Sequence, residues 1–460
     1  MPALELMPMD EMLARLTRVI AASPADETAI AWLEVRRGRE ATGKRRQDDE
    51  RRERTLLVRV RESGRVGFQR TGEATVSELE NAVRTALAQA RLAPSASILP
   101  GPLAPQAPNT TAAGPAVLPT DRGPELLDLE LAQMDPAGAR DLVQRAAGRG
   151  GAARLAWAAA RVAVARSDGR LRSAEVTAAA LEVRQGSGPT AGSASAAARS
   201  LAALAPEALA ERARRRQASQ ASEAIAERPA GPAPLVLAPE AAAALIDLLN
   251  RLALSATPFR EGVSFLSERL GQQVFHPAVS LRDDGTDPRG LPFPFDLAGE
   301  PKRPVDLIGE GMFLTPAVDL ALARQLGRAQ TPHALAVDET LATHLFLLPG
   351  PWGEEEMLRR VGNEGLWVGS LAPLECFDRR ELRFRTVARE VRQIADGALG
   401  SAVPDLVWEG RLADVLTQVL GVGQEPVVVG GDEPLLGAVS APALAIGPTG
   451  SLGLAPTPRS

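Results

Sequence analysis

Three histidines and one cysteine, His276, His333, His344 and Cys376, are the residues most able to support metal or nucleophilic chemistry. Imidazole nitrogens and thiolates bind zinc, and a two-histidine site on one helix needs them at positions i and i+4. No two of these histidines have that spacing. His276 and His333 adjoin prolines in turns, and His344 begins the strand-like stretch THLFLLPG. We therefore predict structural or surface roles for all three.

Cys376 lies in PLECFDRRE between the apolar residues Leu374 and Phe377. A nucleophilic thiol needs a neighbouring histidine and an orienting group. A single cysteine with apolar neighbours is more often a buried small hydrophobe, and we predict that role. One cysteine also excludes an intramolecular disulfide and is typical of a reducing compartment.

The stretch SLRDDGTDPRG gathers Asp283, Asp284 and Asp287 around a glycine, as a calcium-binding loop does. The alternating acids and closing glutamate of an EF-hand are not present. Aspartate, glycine and proline together favour a tight turn at a strand end, and we predict such a turn. The motifs of serine hydrolases and of phosphate-binding loops do not occur in the sequence.

Composition and charge argue against several classes of partner. A net charge of -5 on 460 residues gives no reason to expect nucleic acid or an anionic membrane. The densest basic run, residues 36–55, is interrupted by acids and lacks aromatic residues for base stacking, so we predict a solvated surface. No stretch reaches the roughly 18 apolar residues of a membrane span, and the first residues lack the pattern of a signal peptide. We expect a cytoplasmic location.

The elements that must position any site begin with residues 1–96, for which we predict a small α+β domain. Residues 10–22 have a helical apolar stripe, and two alternating stretches follow as paired strands with Ser63 and Gly64 in the turn. A second helix follows, for which Ser77 and Glu80 predict a capping box.

Residues 97–120 are rich in proline and lack periodicity, which predicts a linker. The central region, residues 121–228, repeats the order of helix, strand pair and helix, with a turn at residues 167–169. This order suggests a weak internal duplication, although no residue-level identity establishes it.

For residues 229–460 we predict a large strand-rich domain. Its first helix begins at Pro239, and Leu245, Leu248, Leu249 and Leu252 form an apolar stripe at i, i+3, i+4 and i+7. Helices interrupt the strands at DLALARQLG, EEEMLRRVG and GRLADVLTQVLGVG. The fold class predicted for the whole chain is therefore α+β, with layers of helix and antiparallel strands before the strand-rich domain.

Six stretches of this last region follow one another in a distinctive order: VLAPEAAAALIDLL, EGVSFLSERLGQQVFHPAVSLRDDGTDPRGLPFPFD, VDLIGEGMFLTPAVDLALARQLG, LPGPWGEEEMLRRVGNEGLWVGSL, REVRQIADGALGSAVPDLVWEGRLADVLTQVLGVG and APALAIG. In this order and spacing they resemble the TldD/PmbA family. The similarity extends from about residue 230 to residue 460. The N-terminal stretch LLVRVRESGRVGFQRTGEATVSELENAVRTALAQA supports it.

The resemblance implies a heterodimeric metallopeptidase system that acts on small or unfolded peptides. In the TldD-type subunit, an HExxxH helix gives zinc two histidines and a late cysteine is the third ligand, whereas the PmbA (TldE)-type subunit keeps the fold without this site. The corresponding helix here, LIDLLNRLAL, has Asp247, Asn250 and Arg251 at its polar positions and no histidine, and the late cysteine is missing. The resemblance therefore implies a PmbA/TldE-like member with no catalytic, metal-binding or cofactor-binding residues.

Two further segments depart from the family pattern. The family's Asp-x-Glu-Gly segment is FDLAGEP here, which keeps Asp296 and Gly299 but has Ala298 in place of the acid. A Ser/Thr-Thr-Gly turn near residue 331 is replaced by AQTPHA. We therefore transfer no substrate-contact residues from the family.

These observations lead to one main functional hypothesis and two alternatives. The main hypothesis is a non-catalytic subunit that pairs with a TldD-type metallopeptidase and helps to admit extended peptides. The first alternative is a homodimeric protein without enzymatic activity that holds peptides by backbone pairing along its C-terminal strands. The second is a metallopeptidase whose metal site has been rebuilt from aspartate, glutamate and the scattered histidines.

Overall fold

The computed structural model describes residues 6–43, 50–93, 126–218, 231–336, 339–430, 435 and 437–454. The predicted linker, residues 97–120, and the predicted boundary at residues 228 and 229 lie outside this part of the chain. Within it, the secondary structure is a mixture of helices and largely antiparallel strands. The predicted α+β class is confirmed.

The N-terminal part of the chain forms one antiparallel sheet with the strand order β3-β2-β1-β4-β5-β6. The strands are β1 (Glu27–Ala41), β2 (Arg51–Glu62), β3 (Arg65–Thr71), β4 (Gly151–Arg166), β5 (Leu171–Gln185) and β6 (Gly192–Ala198). β1 pairs with β4 from Ala29 opposite Arg166 to Ala41 opposite Arg154. The regions predicted as residues 1–96 and 121–228 therefore both contribute strands to a single sheet.

Helices cover one face of this sheet. They are α1 (Met9–Ala21), α2 (Val76–Leu92), α3 (Leu129–Ala132), α4 (Pro136–Ala147), α5 (Leu201–Leu204) and α6 (Pro206–Ala218). The core under α1 and α2 includes Ile30 and Trp32 of β1, and the core under α4 and α6 includes Leu155 and Trp157 of β4. The helix, strand and helix order occurs in both halves of the sheet, as the sequence indicated.

Two local predictions in the first half have different outcomes. The turn between β2 and β3 is at Ser63 and Gly64, whose φ angles of 51° and 78° are those of a tight type I′ hairpin. The capping box predicted at Ser77 and Glu80 is wrong, because the helix begins two residues earlier. The N-cap of α2 is Thr75, whose hydroxyl oxygen accepts the backbone N–H of Glu78 while the Glu78 carboxylate accepts the Thr75 hydroxyl. Thr75-x-x-Glu78 matches the same motif.

The other face of the sheet is also apolar. Alternate residues of β1, β4 and β5, including Val35, Val162 and Val176, pack against Phe295 from the C-terminal part. A strand with apolar side chains on both faces must lie between two layers. The sheet is therefore enclosed between its helices and the C-terminal domain.

The C-terminal domain contains two six-stranded sheets, one four-stranded sheet and one two-stranded sheet among the described residues. Its strands are β7 (Leu235–Leu237), β8 (Leu281–Asp283), β9 (Val305–Gly309), β10 (Met312–Phe313), β11 (Ala334–Ala336), β12 (Glu339–Thr340), β13 (His344–Leu347), β14 (Leu366–Val368), β15 (Ser370–Asp378), β16 (Arg383–Arg389), β17 (Arg392–Ala395), β18 (Ala398–Ala402), β19 (Leu406–Arg411), β20 (Val419–Val422), β21 (Val427–Val429), β22 (Ala438–Ala441), β23 (Leu444–Ile446) and β24 (Ser451–Leu454). Its helices are α7 (Pro239–Leu249), α8 (Ala256–Arg260), α9 (Leu320–Leu326), α10 (Glu354–Val361) and α11 (Leu412–Thr417). The strand-rich character and the three predicted helical interruptions are confirmed.

No helix in the described ranges has both the length and the apolar character that crossing a bilayer requires.

Candidate functional site

The helix α7 forms the floor of the candidate site. Pro239 occupies its first turn, where the missing N–H costs nothing, and the N-terminal half is rich in alanine. The core-facing side is fully buried and consists of Ala241, Ala242, Leu245, Ile246 and Leu249. The predicted stripe is confirmed, with Leu248 and Leu252 partly buried against the same core.

The helix then widens into a π-helical turn, Asn250–Leu254. Such turns occur often at functional sites because the extra residue redirects the side chains around it. The Asn250 side chain donates to the Ala342 carbonyl oxygen at 2.7 Å, which ties the turn to the segment before β13. This bond fixes the end of α7 against the strands.

A cleft of about 390 Å³ lies over the outer side of α7. Its floor includes Ala243, Ala244 and the polar side chains that the sequence singled out. Its walls are residues next to or within the strands β21 and β22, and the segment 341–343. A volume of this size accommodates several residues of a peptide or a small organic molecule.

Asp247 and Arg251 face this cleft one helical turn apart and form an ion pair, with Arg251 Nε 2.8 Å from Asp247 Oδ2. The two histidines of an HExxxH motif are five positions apart, and neither α7 nor the turn after it contains a histidine. A guanidinium group has only N–H donors and cannot ligate a cation, and here it binds the neighbouring carboxylate. The Asp247 carboxylate is therefore paired with Arg251 and has no metal-binding histidine beside it on the helix.

Glu240 closes the cleft at the N-terminal end of α7. Its carboxylate accepts two hydrogen bonds of 3.1 Å from Arg216 of α6 and one of 3.2 Å from the Ser195 backbone of β6. Burial alone raises the pKa of Glu240, but the Arg216 and Arg212 guanidinium groups outweigh burial and the pKa is lowered. Glu240 is thus held ionised and clamps the N-terminal sheet to α7.

A second interdomain contact lies beside this clamp. Glu390 has a left-handed backbone conformation, with a φ of 56°, and accepts bonds of 3.1 Å and 2.8 Å from the backbone and hydroxyl of Ser193. Its carboxyl is buried, and burial raises its pKa. Glu390 and Glu240 thus bind β6 at Ser193 and Ser195, which are two positions apart in the strand.

The structure also assembles a polar cluster that sequence reasoning did not find. Asp283 is fully buried and accepts the His344 backbone N–H at 2.7 Å, while Lys302 Nζ lies 3.4 Å from its Oδ2 atom. His333 Nε2 lies 3.1 Å from the same oxygen but is too poorly aligned for a hydrogen bond. The Thr343 hydroxyl accepts from Lys302 at 3.2 Å and lies 2.9 Å from His344 Nδ1.

The pKa values of Asp283 and His344 in this cluster are both strongly shifted. Burial raises the pKa of Asp283, but the Lys302 ammonium, His333 and His344 outweigh burial and hold the pKa well below its usual range. Burial and the Lys302 charge lower the pKa of His344 to about 3. At neutral pH the cluster therefore contains an ionised Asp283 and a neutral His344.

The predicted roles of the histidines can now be compared with their positions. His276 is half-buried in a turn, where its Nδ1 accepts the Ala278 backbone N–H at 3.1 Å. His333 and His344 are both buried, and each contacts Asp283. Over the residues that the structure describes, no group of three or more histidine, cysteine, aspartate or glutamate side chains is arranged to hold a metal.

A match to a known protein family covers the domain that contains α7. Residues 230–449 match the family model described as "PmbA/TldA metallopeptidase C-terminal domain". This domain is therefore of the TldD/PmbA type. No curated protein is significantly similar to the chain in sequence.

Solved structures of similar fold extend the likeness to almost the whole length of the chain. A proposed modulator of DNA gyrase from Thermotoga maritima has a TM-score of 0.77 and 19% identity, covering 97% of this chain and 100% of that one. TldE from Thermococcus kodakarensis has a TM-score of 0.73 and 17% identity, covering 97% and 99%. A proposed modulator of DNA gyrase from Bacteroides thetaiotaomicron has a TM-score of 0.71 and 14% identity, covering 97% and 99%.

The segment in which the chain keeps Asp296 and Gly299 has a structural role. Asp296 Oδ1 accepts the N–H groups of Ala298 and Glu300 at 2.9 Å, and Oδ2 accepts that of Ala334 at 3.0 Å. Gly299 has a φ of 80°, which a residue with a side chain rarely adopts. Asp296 therefore builds the turn and ties it to β11.

The remaining candidates have local roles. Cys376 lies half-buried on β15, and its thiol donates to the Asp378 carbonyl oxygen at 3.4 Å. Burial raises the pKa of this thiol, which opposes nucleophilic activation. Asp284 and Asp287 cap a turn, accepting the N–H groups of Thr286 and Arg289 at 2.9 Å.

Proposed function

We propose that the chain is the non-catalytic, PmbA/TldE-like subunit of a TldD-type metallopeptidase complex that processes small or unfolded peptides. The observation that carries this proposal is the Asp247–Arg251 ion pair in the α7 cleft. On the helix where the resemblance places the HExxxH motif, the polar side chains form this ion pair and no histidine is present. The fold shared with TldE from Thermococcus kodakarensis supports the same subunit type.

The α7 cleft supports a role in admitting extended peptides. β21 is the last strand in the hydrogen-bonded order β10-β9-β8-β13-β22-β21. It borders the cleft through Val429 and lies beside β6 of the N-terminal sheet. A strand at the end of a sheet has backbone N–H and C=O groups that can pair with an added peptide strand. Backbone pairing holds a peptide with little dependence on its sequence, as the processing of unfolded peptides requires.

The proposal is tested by combining complex formation with a cleft variant. We expect the purified chain to form a 1:1 complex with the TldD-type protein of its source organism in native mass spectrometry. Arg251→Trp should leave the complex intact but slow hydrolysis of an unstructured peptide at least tenfold, because the rigid indole ring obstructs the floor of the cleft.

Arg359→Trp is the matched control. The Arg251 and Arg359 side chains are each 64% exposed and each forms an ion pair within one turn of its own helix. Arg359 belongs to α10 and does not line the cleft. Equal hydrolysis by the two variants would reject a role for the cleft, and failure to form the complex would reject the subunit role.

The homodimeric peptide-binding alternative uses the same cleft and the same edge strand. It differs in one measurable property, because the chain would then form dimers and bind peptide without a second protein. Sedimentation velocity of the chain alone, with a fluorescent unstructured peptide, separates the two. A monomer that binds peptide only in the presence of the partner excludes this alternative.

A further inference from the structure

A second cavity lies between the N-terminal sheet and the C-terminal domain and adjoins the α7 cleft at Leu335 and Thr343. Its volume is about 60 Å³, which is room for roughly four water molecules or one small organic molecule. One wall is formed by Leu33, Val162 and Val176 of the sheet, and the opposite wall includes Phe293 and Leu297. Most of the lining is therefore apolar.

One end of this interdomain pocket is polar and contains Lys302, Thr343 and His344. Lys302 Nζ has two oxygen neighbours in the described residues, Thr343 Oγ1 at 3.2 Å and Asp283 Oδ2 at 3.4 Å. An ammonium group has three N–H donors, so one remains for another acceptor.

His344 has a second unused group. Its Nδ1 lies 2.9 Å from the Thr343 hydroxyl, while its buried Nε2 has no hydrogen-bond partner in the described part of the chain. Because Thr343 already accepts from Lys302, its own proton is available for His344 Nδ1, and the neutral ring then has its hydrogen on Nε2. The polar end of the pocket thus has two N–H donors without acceptors. A buried donor without an acceptor is unfavourable, so an occupant with acceptor atoms is favoured.

The surrounding charges favour a negatively charged acceptor. Arg199 is fully buried near His344, and its three hydrogen bonds go to the carbonyl oxygens of Thr177, Leu291 and Pro292. These bonds give the guanidinium N–H groups acceptors but do not neutralise its positive charge. Asp296 also lines the pocket, but both of its oxygens are occupied by backbone N–H groups. The groups left open to a ligand are therefore the Lys302 ammonium and His344, and both are donors.

We propose that the interdomain pocket binds a small monocarboxylate with an apolar tail. The carboxylate oxygens would accept from Lys302 and from His344 Nε2, and the tail would pack between Val162, Val176 and Phe293. Such a ligand satisfies both open donors and fills the apolar volume in one binding event. The proposed ligand does not depend on the proposed subunit role.

Calorimetric titration of the full-length chain with 3-methylbutanoate and with 3-methylbutan-1-ol tests the proposal. These probes share their tail and differ in the carboxylate. We expect the acid to bind at least tenfold more tightly than the alcohol. If the acid does not bind, the proposed site is rejected. If both probes bind equally, the assignment of a carboxylate ligand is rejected.

Two variants locate the binding. Leu33→Trp fills the pocket from its partly buried rim, and Thr343→Val removes the hydroxyl that connects Lys302 to His344 while keeping the side-chain shape. Each variant should weaken binding of the acid at least tenfold. If one variant does not fold, the other still tests the site. Leu420→Trp, at an exposed leucine outside the pocket, is the control and should bind normally. Undiminished binding by a folded Leu33→Trp or Thr343→Val variant would place the ligand elsewhere and overturn the proposal.

Discussion

Replacement of Lys302 by methionine tests the buried charge cluster most sharply. The Lys302 and Asp283 side chains are 3% and 0% exposed, so removal of the ammonium leaves an ionised carboxylate without its main counter-charge. Breaking a buried pair in this way typically costs about 3–5 kcal/mol. Asp283 keeps the His344 backbone N–H at 2.7 Å, so we expect about 3 kcal/mol, at the lower end of that range.

The assay is urea unfolding followed by tryptophan fluorescence at pH 7.5, with Arg282→Met as the matched control. Arg282 precedes Asp283 and pairs with Asp306 at 2.6 Å, with both side chains well exposed. Exposed pairs contribute about 0–1 kcal/mol. The double variant Lys302→Met with Asp283→Asn should recover much of the loss, because neither member of the pair is then charged. Equal destabilisation by Lys302→Met and Arg282→Met would refute the assignment of an ionised Asp283.

The same pair predicts the direction of a pH effect. The pKa of Asp283 is lower in the folded protein than in the unfolded chain, so its contribution to stability is complete above the ordinary aspartate pKa of about 3.9. The contribution is lost as the pH falls below that value. Between pH 5 and pH 3 the wild-type protein should therefore lose more stability than the double variant.

Three further predictions concern the clamp, the core and the cysteine. Glu240→Gln leaves the buried Arg216 without its carboxylate, so hydrogen exchange in β6 should become at least tenfold faster at neutral pH; unchanged exchange would contradict the clamp. Leu245→Ala removes a fully buried side chain of α7 and should lower the unfolding free energy by about 2–5 kcal/mol in urea; a loss below 1 kcal/mol would contradict its packing role. Cys376 should react with iodoacetamide more slowly than a cysteine in an unfolded peptide at pH 7.5, since its pKa is raised; faster reaction would indicate an activated thiol.

The elements that the sequence predicted well are those encoded by local patterns. The β2–β3 hairpin follows from alternating residues around Ser63 and Gly64, and the α7 stripe follows from leucines at helical spacing. The capping box shows the limit of a local pattern. Two overlapping motifs, beginning at Thr75 and at Ser77, both fit the sequence, and the position where the chain enters the helix decides between them.

The single N-terminal sheet and the buried cluster depend on long-range contacts. β1 pairs with β4, which lies more than a hundred residues later in the chain. A local sequence pattern does not predict such a distant partner. Apolar residues on both faces of β1, such as Ile30 and Ala31, were the available signal for a central strand. Asp283 and His344 meet because β8 pairs with β13, although they lie 61 positions apart in sequence. Spacing rules for adjacent ligands do not detect such a pair.

The absence of a zinc-binding pair in α7 is the central claim, and the metal content and peptidase activity of the chain test it most directly. Both should be measured on the purified chain alone and after mixing with the TldD-type protein of the same organism, using an unstructured peptide. The account predicts no stoichiometric zinc and no activity in the chain alone, with activity in the mixture and the metal in the partner. Chelator-sensitive hydrolysis with one equivalent of zinc in the chain alone would contradict it.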